Sequence, residues 1–464
     1  MDTSQTELPV VVVMVPLPAQ GHLNQLLNLS RLVSVHGVPV HYIGSATHNR
    51  QAKQRVHGWE PSTISNIHFH DIQLPPIMMP SPDPHASNKF PAHFQPIFDS
   101  TASLREPLVA LLHTLSAKAR RVVVVHDSIM CFAAQEACSI PNGEAYAFHA
   151  VSAFAALFFQ WERHGKSGEI IFPSDLPYIS LEDCFTARFA KFVDEQYMFM
   201  KFVRGHLYNT CRPIEGRFID LLAQERLLGD MKQWETGPLN PVAIHADESR
   251  QRHSCLDWLD KQPKNSVLYI SFGTMTSISD EQITELAVGL EGSEQRFIWA
   301  LREADKGDIF TEEKEGRKIE LPNGFEERVK GIGMVVRDWA PQLEILAHAS
   351  TGGFLSHCGW NSCMESLSMG VPIGAWPMHS DQPRNTMLVT EVLKVGLVVR
   401  EWSQRKKVLS SSAIENSVRE LMVSEERQEM RKRAKELGMS VRQAVSDGGT
   451  STKQLDSFIA YISR

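Results

Sequence analysis

Between Trp339 and Gln382 the sequence runs WAPQLEILAHASTGGFLSHCGWNSCMESLSMGVPIGAWPMHSDQ, 44 residues dense in groups that can hold a polar ligand. At its centre, His357-Cys358-Gly359-Trp360-Asn361-Ser362 falls between a predicted strand end and a predicted helix start. A helix N-terminus offers unpaired backbone N–H groups and a partial positive charge, which suits a pyrophosphate. Gly359 lets the backbone approach such an anion, while His357, Asn361 and Ser362 add side-chain donors. Glu365, one turn further along that helix, suits a ribose diol. Asp381 and Gln382 follow the next strand, and a carboxylate beside an amide suits sugar hydroxyls. The indole of Trp339 can stack on a flat base.

A second constellation lies far upstream. His22 stands in Gln20-Gly21-His22-Leu23-Asn24, after the first predicted strand and at the start of the first predicted helix. The positive end of the helix dipole disfavours the imidazolium there, so the expectation is a neutral base. Such a base can take the proton of an attacking hydroxyl. Asp127 ends another strand of the same sheet, where a buried carboxylate would fix the tautomer and stabilise the developing charge. His126 alternates to the opposite strand face and reads as structural.

These groups need elements to hold them. Val10–Val15 reads as a buried parallel strand, followed by a Pro/Gly turn and a helix stopped by Gly37. Val38–Ile43 and Arg121–Val125 are further strands. The second half repeats the pattern, with strands at Ser266–Phe272, Phe297–Leu301, Gly333–Asp338, Gly352–Ser356 and Val371–Trp376. Ser279 and Gln282 read as a capping box for an intervening helix. The fold class is therefore α/β, with two doubly wound domains facing across a cleft where the strand ends converge. The expected boundaries are 1–240 for a first domain carrying His22, 241–252 for a linker and 253–445 for a nucleotide-binding domain. Residues 446–464 complete the chain as a terminal helix.

Composition narrows the partners. With 47 basic against 54 acidic residues among 464, the net charge of -7 argues against nucleic acid or an anionic membrane. The polar start lacks a basic n-region, and Val10–Val15 is too short to span a bilayer, so a cytoplasmic location is expected. Seven scattered cysteines with no CxxC pair read as reduced thiols, and no metal-binding cluster is visible. A nicotinamide oxidoreductase would need GxGxxG after a strand, and Pro16-Leu17-Pro18-Ala19-Gln20-Gly21 lacks it. A non-catalytic nucleotide-sugar binder stays open, with the intact His22, Asp127 and central segment against it.

The 44-residue segment resembles the signature box of plant family 1 UDP-dependent glycosyltransferases in its length, its opening WAPQ, its central HCGWNS and its closing DQ. The segments PLPAQGHLNQLLNLSRL, HYIGSATHNRQ, VVVVHDSIM and VLYISFGT look most like the zeatin O-glucosyltransferase branch, including Gln25 where most of the wider family carries Pro. The resemblance implies a GT-B fold and a monomer acting by a single inverting displacement without metal or other cofactor. It assigns the base to His22 and its partner to Asp127. It places Trp339 and the backbone of Ala340 on uracil, Gln342 and Glu365 on ribose, and His357, Asn361 and Ser362 on the diphosphate. Trp360, Asp381 and Gln382 fall on the sugar, and Thr274 on the phosphates. The closing Gln leans towards UDP-glucose, with UDP-xylose as the alternative donor. A hydroxylated cytokinin is the implied acceptor, with terpenoids, flavonoids and glycosides left open. Phe90, Phe94, Phe148, Phe154 and Phe199 are the candidate walls of its apolar pocket.

Overall fold

The computed structural model describes residues 8–55, 61–75, 77–165, 176–224, 231–244, 252–273, 277–301 and 319–464. Thr274 and residues 245–251 of the expected linker lie outside them.

The first half builds a seven-stranded parallel sheet in the order β3-β2-β1-β4-β5-β6-β7. Its strands are β1 (Val10–Val15), β2 (Val40–Ser45), β3 (Ile67–Ile72), β4 (Arg121–Asp127), β5 (Gly143–His149), β6 (Gly205–Tyr208) and β7 (Lys232–Glu235). The run VVVVMV of β1 is buried throughout, because helices cover both faces of a central parallel strand. Val11, Val13 and Val15 enter one core, whereas Val10, Val12 and Met14 enter the other.

The second half forms a six-stranded sheet in the order β10-β9-β8-β11-β12-β13. These are β8 (Val267–Ser271), β9 (Arg296–Ala300), β10 (Gly333–Val336), β11 (Thr351–Ser356), β12 (Ile373–Ala375) and β13 (Gly396–Val398). In both sheets the chain reverses its winding direction beside the first strand, between β1 and β4 and between β8 and β11. A doubly wound sheet leaves its ligand crevice at such a switch point, outside the carboxyl ends of the strands. His22 and Asp127 follow or end β1 and β4, and Phe272-Gly273 and His357-Gly359 follow β8 and β11.

A third core joins the halves, with Phe154, Tyr208 and Phe218 from the first meeting Cys358, Trp360 and Met364 from the second. The last helix, Thr450–Ile462, returns to the first sheet. Its Phe458 ring lies 5.4 Å from Tyr146 and 5.2 Å from Trp234. Arg120 donates to the carbonyls of Arg464 and Ser463 at 2.6 and 2.8 Å, neutralising the end of that helix. The expected capping box is only half made. The Ser279 hydroxyl accepts from Gln282 N at 3.4 Å, but the Gln282 amide turns to both backbone groups of Leu409, at 2.9 and 2.8 Å.

Candidate active site

His22 is the third residue of the helix Gln20–Val35, which starts directly after β1. Its Nδ1 lies 2.6 Å from Asp127 Oδ2 at the end of β4. Asp127 is fully buried, and its other oxygen accepts from Ile129 N at 3.1 Å. A carboxylate can only accept, so Nδ1 carries the proton and Nε2 keeps its lone pair. The His22 side chain remains 26% exposed, which leaves that lone pair accessible.

The expected electrostatics need a correction here. Burial does disfavour the imidazolium, but the attraction of Asp127, its hydrogen bond and the charge of Asp381 outweigh burial and raise His22 above its ordinary value. The two carboxylates together thus raise the basicity against burial. His126 is buried, with Nδ1 2.8 Å from the Asp127 carbonyl, and burial pushes it down to about 4. It serves the strand end, as alternation requires.

Across the cleft, the helix Trp360–Met369 begins after β11 with Gly359 at its N-cap and no side-chain cap. Its first N–H groups are thus left for a ligand. His357 packs over two glycines: a Cβ on Gly359 would lie 2.5 Å from its Nε2, and one on Gly273 2.9 Å. Gly273 also has φ +79°, a left-handed conformation that glycine adopts without strain. Burial pushes His357 down to about 4, so it would meet an anion as a neutral donor. Gln342 Nε2 donates to Glu365 at 2.6 Å and to the Ser362 hydroxyl at 3.1 Å, which brings three expected ligand residues into one network. Ala340 is buried beside them, and Trp339 is 55% exposed with its indole open to stacking. Asn361 Nδ2 reaches the other half and donates to the carbonyl of Gly21 at 2.8 Å.

Asp381 accepts from Asn385 Nδ2 at 2.8 Å, and burial raises its carboxyl above the usual range. Its influence on His22 brings the expected sugar contact and the expected base into one field. Gln382 is buried, and its amide oxygen accepts from Met378 N and His379 N at 2.9 and 3.1 Å. It shapes the loop around the site, and its Nε2 carries the remaining donor capacity.

Three side chains lie elsewhere than expected. The Trp360 indole is buried between the halves and donates to the Asn209 carbonyl at 2.8 Å, so it is turned into that core. Phe148 of β5 faces the core containing Val125 and Trp234. Phe154 starts the helix Ala153–Arg163 against Phe158 and Phe218, at 4.9 and 4.8 Å, inside the core between the halves. The other three candidate walls lie as follows. Phe90 and Phe94 share a core with Phe98 and Phe189, and the Phe90 ring stands edge-on to His379 at 5.9 Å. Phe199 is half-buried beneath the Arg105 guanidinium, 5.7 Å from the ring.

Two neighbours escaped the sequence reading. His379, held down to about 3 by burial, sits between Phe90 and the Gln382 amide. Asn385 holds Asp381 from four residues on, a spacing that was readable once Gln382–Met387 was placed as a helix. Among the described residues, no group of three or more His, Cys, Asp or Glu is arranged to hold a metal ion. No helix among them is long and apolar enough to cross a membrane.

Comparison with known proteins follows this geometry. Residues 8–241 match the family described as "Glycosyltransferase, N-terminal domain", and residues 240–433 match "UDP-glucoronosyl and UDP-glucosyl transferase". The chain is 54% identical to the zeatin O-glucosyltransferase of Phaseolus lunatus, over 99% of this chain and 98% of that protein. It is 51% identical to the zeatin O-xylosyltransferase of Phaseolus vulgaris, over 99% of each. Among solved structures, a Medicago truncatula glycosyltransferase complexed with UDP-glucose superposes with a TM-score of 0.77 at 25% identity, covering 98% of this chain and 99% of that one. A Siraitia grosvenorii transferase in complex with UDP gives a TM-score of 0.77 at 28% identity, covering 98% and 100%.

Proposed function

The chain belongs to the plant UDP-glycosyltransferase family, and from that premise we propose that it is an inverting O-glucosyltransferase acting on a small, hydroxylated acceptor of the cytokinin type. The observation that carries this reading is the 2.6 Å His22–Asp127 contact, set opposite a helix whose Asn361 lies 2.8 Å from the carbonyl of Gly21. His22 Nε2 removes the acceptor hydroxyl proton as the oxygen attacks the anomeric carbon from the side opposite UDP. The bond from that carbon to the phosphate oxygen breaks, and the configuration inverts. Negative charge gathering on the departing diphosphate meets the uncapped N–H groups of Trp360–Met369 and the neutral His357. Asp127 stabilises the imidazolium formed at His22.

On this reading residues 1–240 carry the acceptor and residues 253–445 the donor, with Phe90, Phe94 and Phe199 lining the acceptor side. Gln342 and Glu365 hold the ribose, Trp339 and Ala340 the base, and Asp381 and Gln382 the sugar. Charge stabilisation by protein donors makes a resident metal unnecessary. We place the enzyme in the cytoplasm as a monomer, which a sizing column and cell fractionation check. Relatives named for glucose and for xylose transfer to zeatin support the acceptor class and keep UDP-xylose as a second donor. The experiment is UDP release with both donors across trans-zeatin, cis-zeatin, terpenols and flavonols. Turnover with UDP-glucose and a zeatin isomer is expected. Preference for UDP-xylose would overturn the donor assignment, and silence on both zeatins with UDP still bound would overturn the acceptor.

A further inference from the structure

Gln25 lies three residues after His22 on the same helix, so the two side chains share a face. It is 3% exposed, and its amide is engaged at both ends. Nε2 donates to the Ala150 carbonyl at 2.9 Å, and Oε1 accepts from Asn209 Nδ2 at 3.0 Å. Asn209, also buried, occupies a junction. Its side-chain oxygen accepts from Leu239 N at 3.0 Å, where the chain leaves the first half, and its carbonyl accepts from the Trp360 indole at 2.8 Å. The next residue, Asn361, donates to Gly21, which directly precedes His22. The helix bearing His22 is thus tied to the first turn of the donor helix along two routes, one through Gly21 and one through Gln25 and Asn209. A single buried amide completes the second route.

We infer that Gln25 is a positioning residue for His22, making the setting of the catalytic helix depend on the seat of the donor helix. Donor groups bind at the start of Trp360–Met369, and any shift of that turn reaches Asn209 through the indole. Gln25 then carries it to the face that holds the imidazole. Asp127 fixes the His22 ring against β4 through partners of the first half, His22 Nδ1 and Ile129 N, whereas Gln25 joins that ring's helix to Asn209 and the donor helix. This inference rests on the proposed transfer reaction.

The test is Gln25→Met, which keeps the length and apolar body of the side chain while removing both hydrogen bonds. A companion Gln25→Glu keeps the oxygen to which Asn209 donates. Steady-state rates, UDP affinity and the imidazole NMR signal of His22, assigned with His22→Ala, are measured for each. In the Met variant, kcat should fall by about 10- to 100-fold, the loss that a misplacement near 1 Å brings, while UDP affinity changes by less than about twofold. UDP should shift the His22 signal in the wild type and in the Glu variant but not in the Met variant. An unchanged kcat per folded molecule with the UDP-induced shift intact would overturn the inference. So would a parallel fall in kcat and UDP affinity, which would make Gln25 a support for the donor pocket alone. If the wild type transfers no sugar, the proposed function fails by itself, and the NMR shift still decides whether Gln25 links the helices.

Discussion

The two switch points share a topology but are built differently. At the first, the chemistry rests on two side chains 105 residues apart, brought to 2.6 Å only because β1 and β4 are neighbours in the sheet. At the second, Gln342, Ser362 and Glu365 come from one continuous segment, and much of the site is backbone: an uncapped helix start and two glycines beneath His357. A site assembled from distant side chains fails when one atom is removed. A site made of backbone and glycine fails when an atom is added.

That contrast can be broken by experiment. The largest effect is expected from His22→Ala, which should lower transfer by about 10²–10⁴-fold, the usual contribution of a positioned base, and leave UDP affinity within about twofold. If UDP affinity fell with it, the two sites would be one unit. Adding a single carbon at Gly359→Ala should do the opposite, because its Cβ would stand 2.5 Å from His357 Nε2. Overpacking of about 1–3 kcal/mol implies a loss in UDP affinity of about tenfold, read by calorimetry.

Asp127→Asn sharpens the electrostatic side. The base must be neutral, and His22 is held above its ordinary 6.5, so the acid limb of kcat/KM in the wild type lies above pH 6.5. With Asp127 neutralised its charge no longer opposes burial, and the limb should move to lower pH as the rate falls. A limb that stays put would assign it to another group. Trp360→Phe tests the link between the two sites. It leaves the Asn209 carbonyl unpaired at about 1–3 kcal/mol of stability, visible in Tm, and cuts the route through Asn209 and Gln25, so kcat should fall with it as in Gln25→Met, while the preference between UDP-glucose and UDP-xylose should not change.

The same contrast explains what could be read from the sequence. The family was legible because the residues of the donor segment are contiguous and match a single signature. His22 was legible at a helix start and Asp127 at a strand end, although their mutual distance and the direction of the His22 shift depended on the fold. Phe148 and Phe154 misled because an aromatic ring reads alike in a wall and in a core. Strand phase decided the first, and the core between the halves decided the second. Trp360 misled in a related way, since its indole is spent on the core between the halves and the Asn209 carbonyl. Gln25 stood out in the sequence as a departure, yet only the fold revealed Asn209 and Ala150 as its partners.

The return of the final helix to the first sheet has a mechanical consequence. The polypeptide passes between the halves twice, once after β7 and again before Thr450. Two bodies joined by one tether can swing and twist in every direction, but two separated crossings behave like the paired pivots of a door. They favour rotation about the line that joins them and resist sliding and torsion. A cleft that opens on such an axis returns the same two faces to the same alignment at every closure.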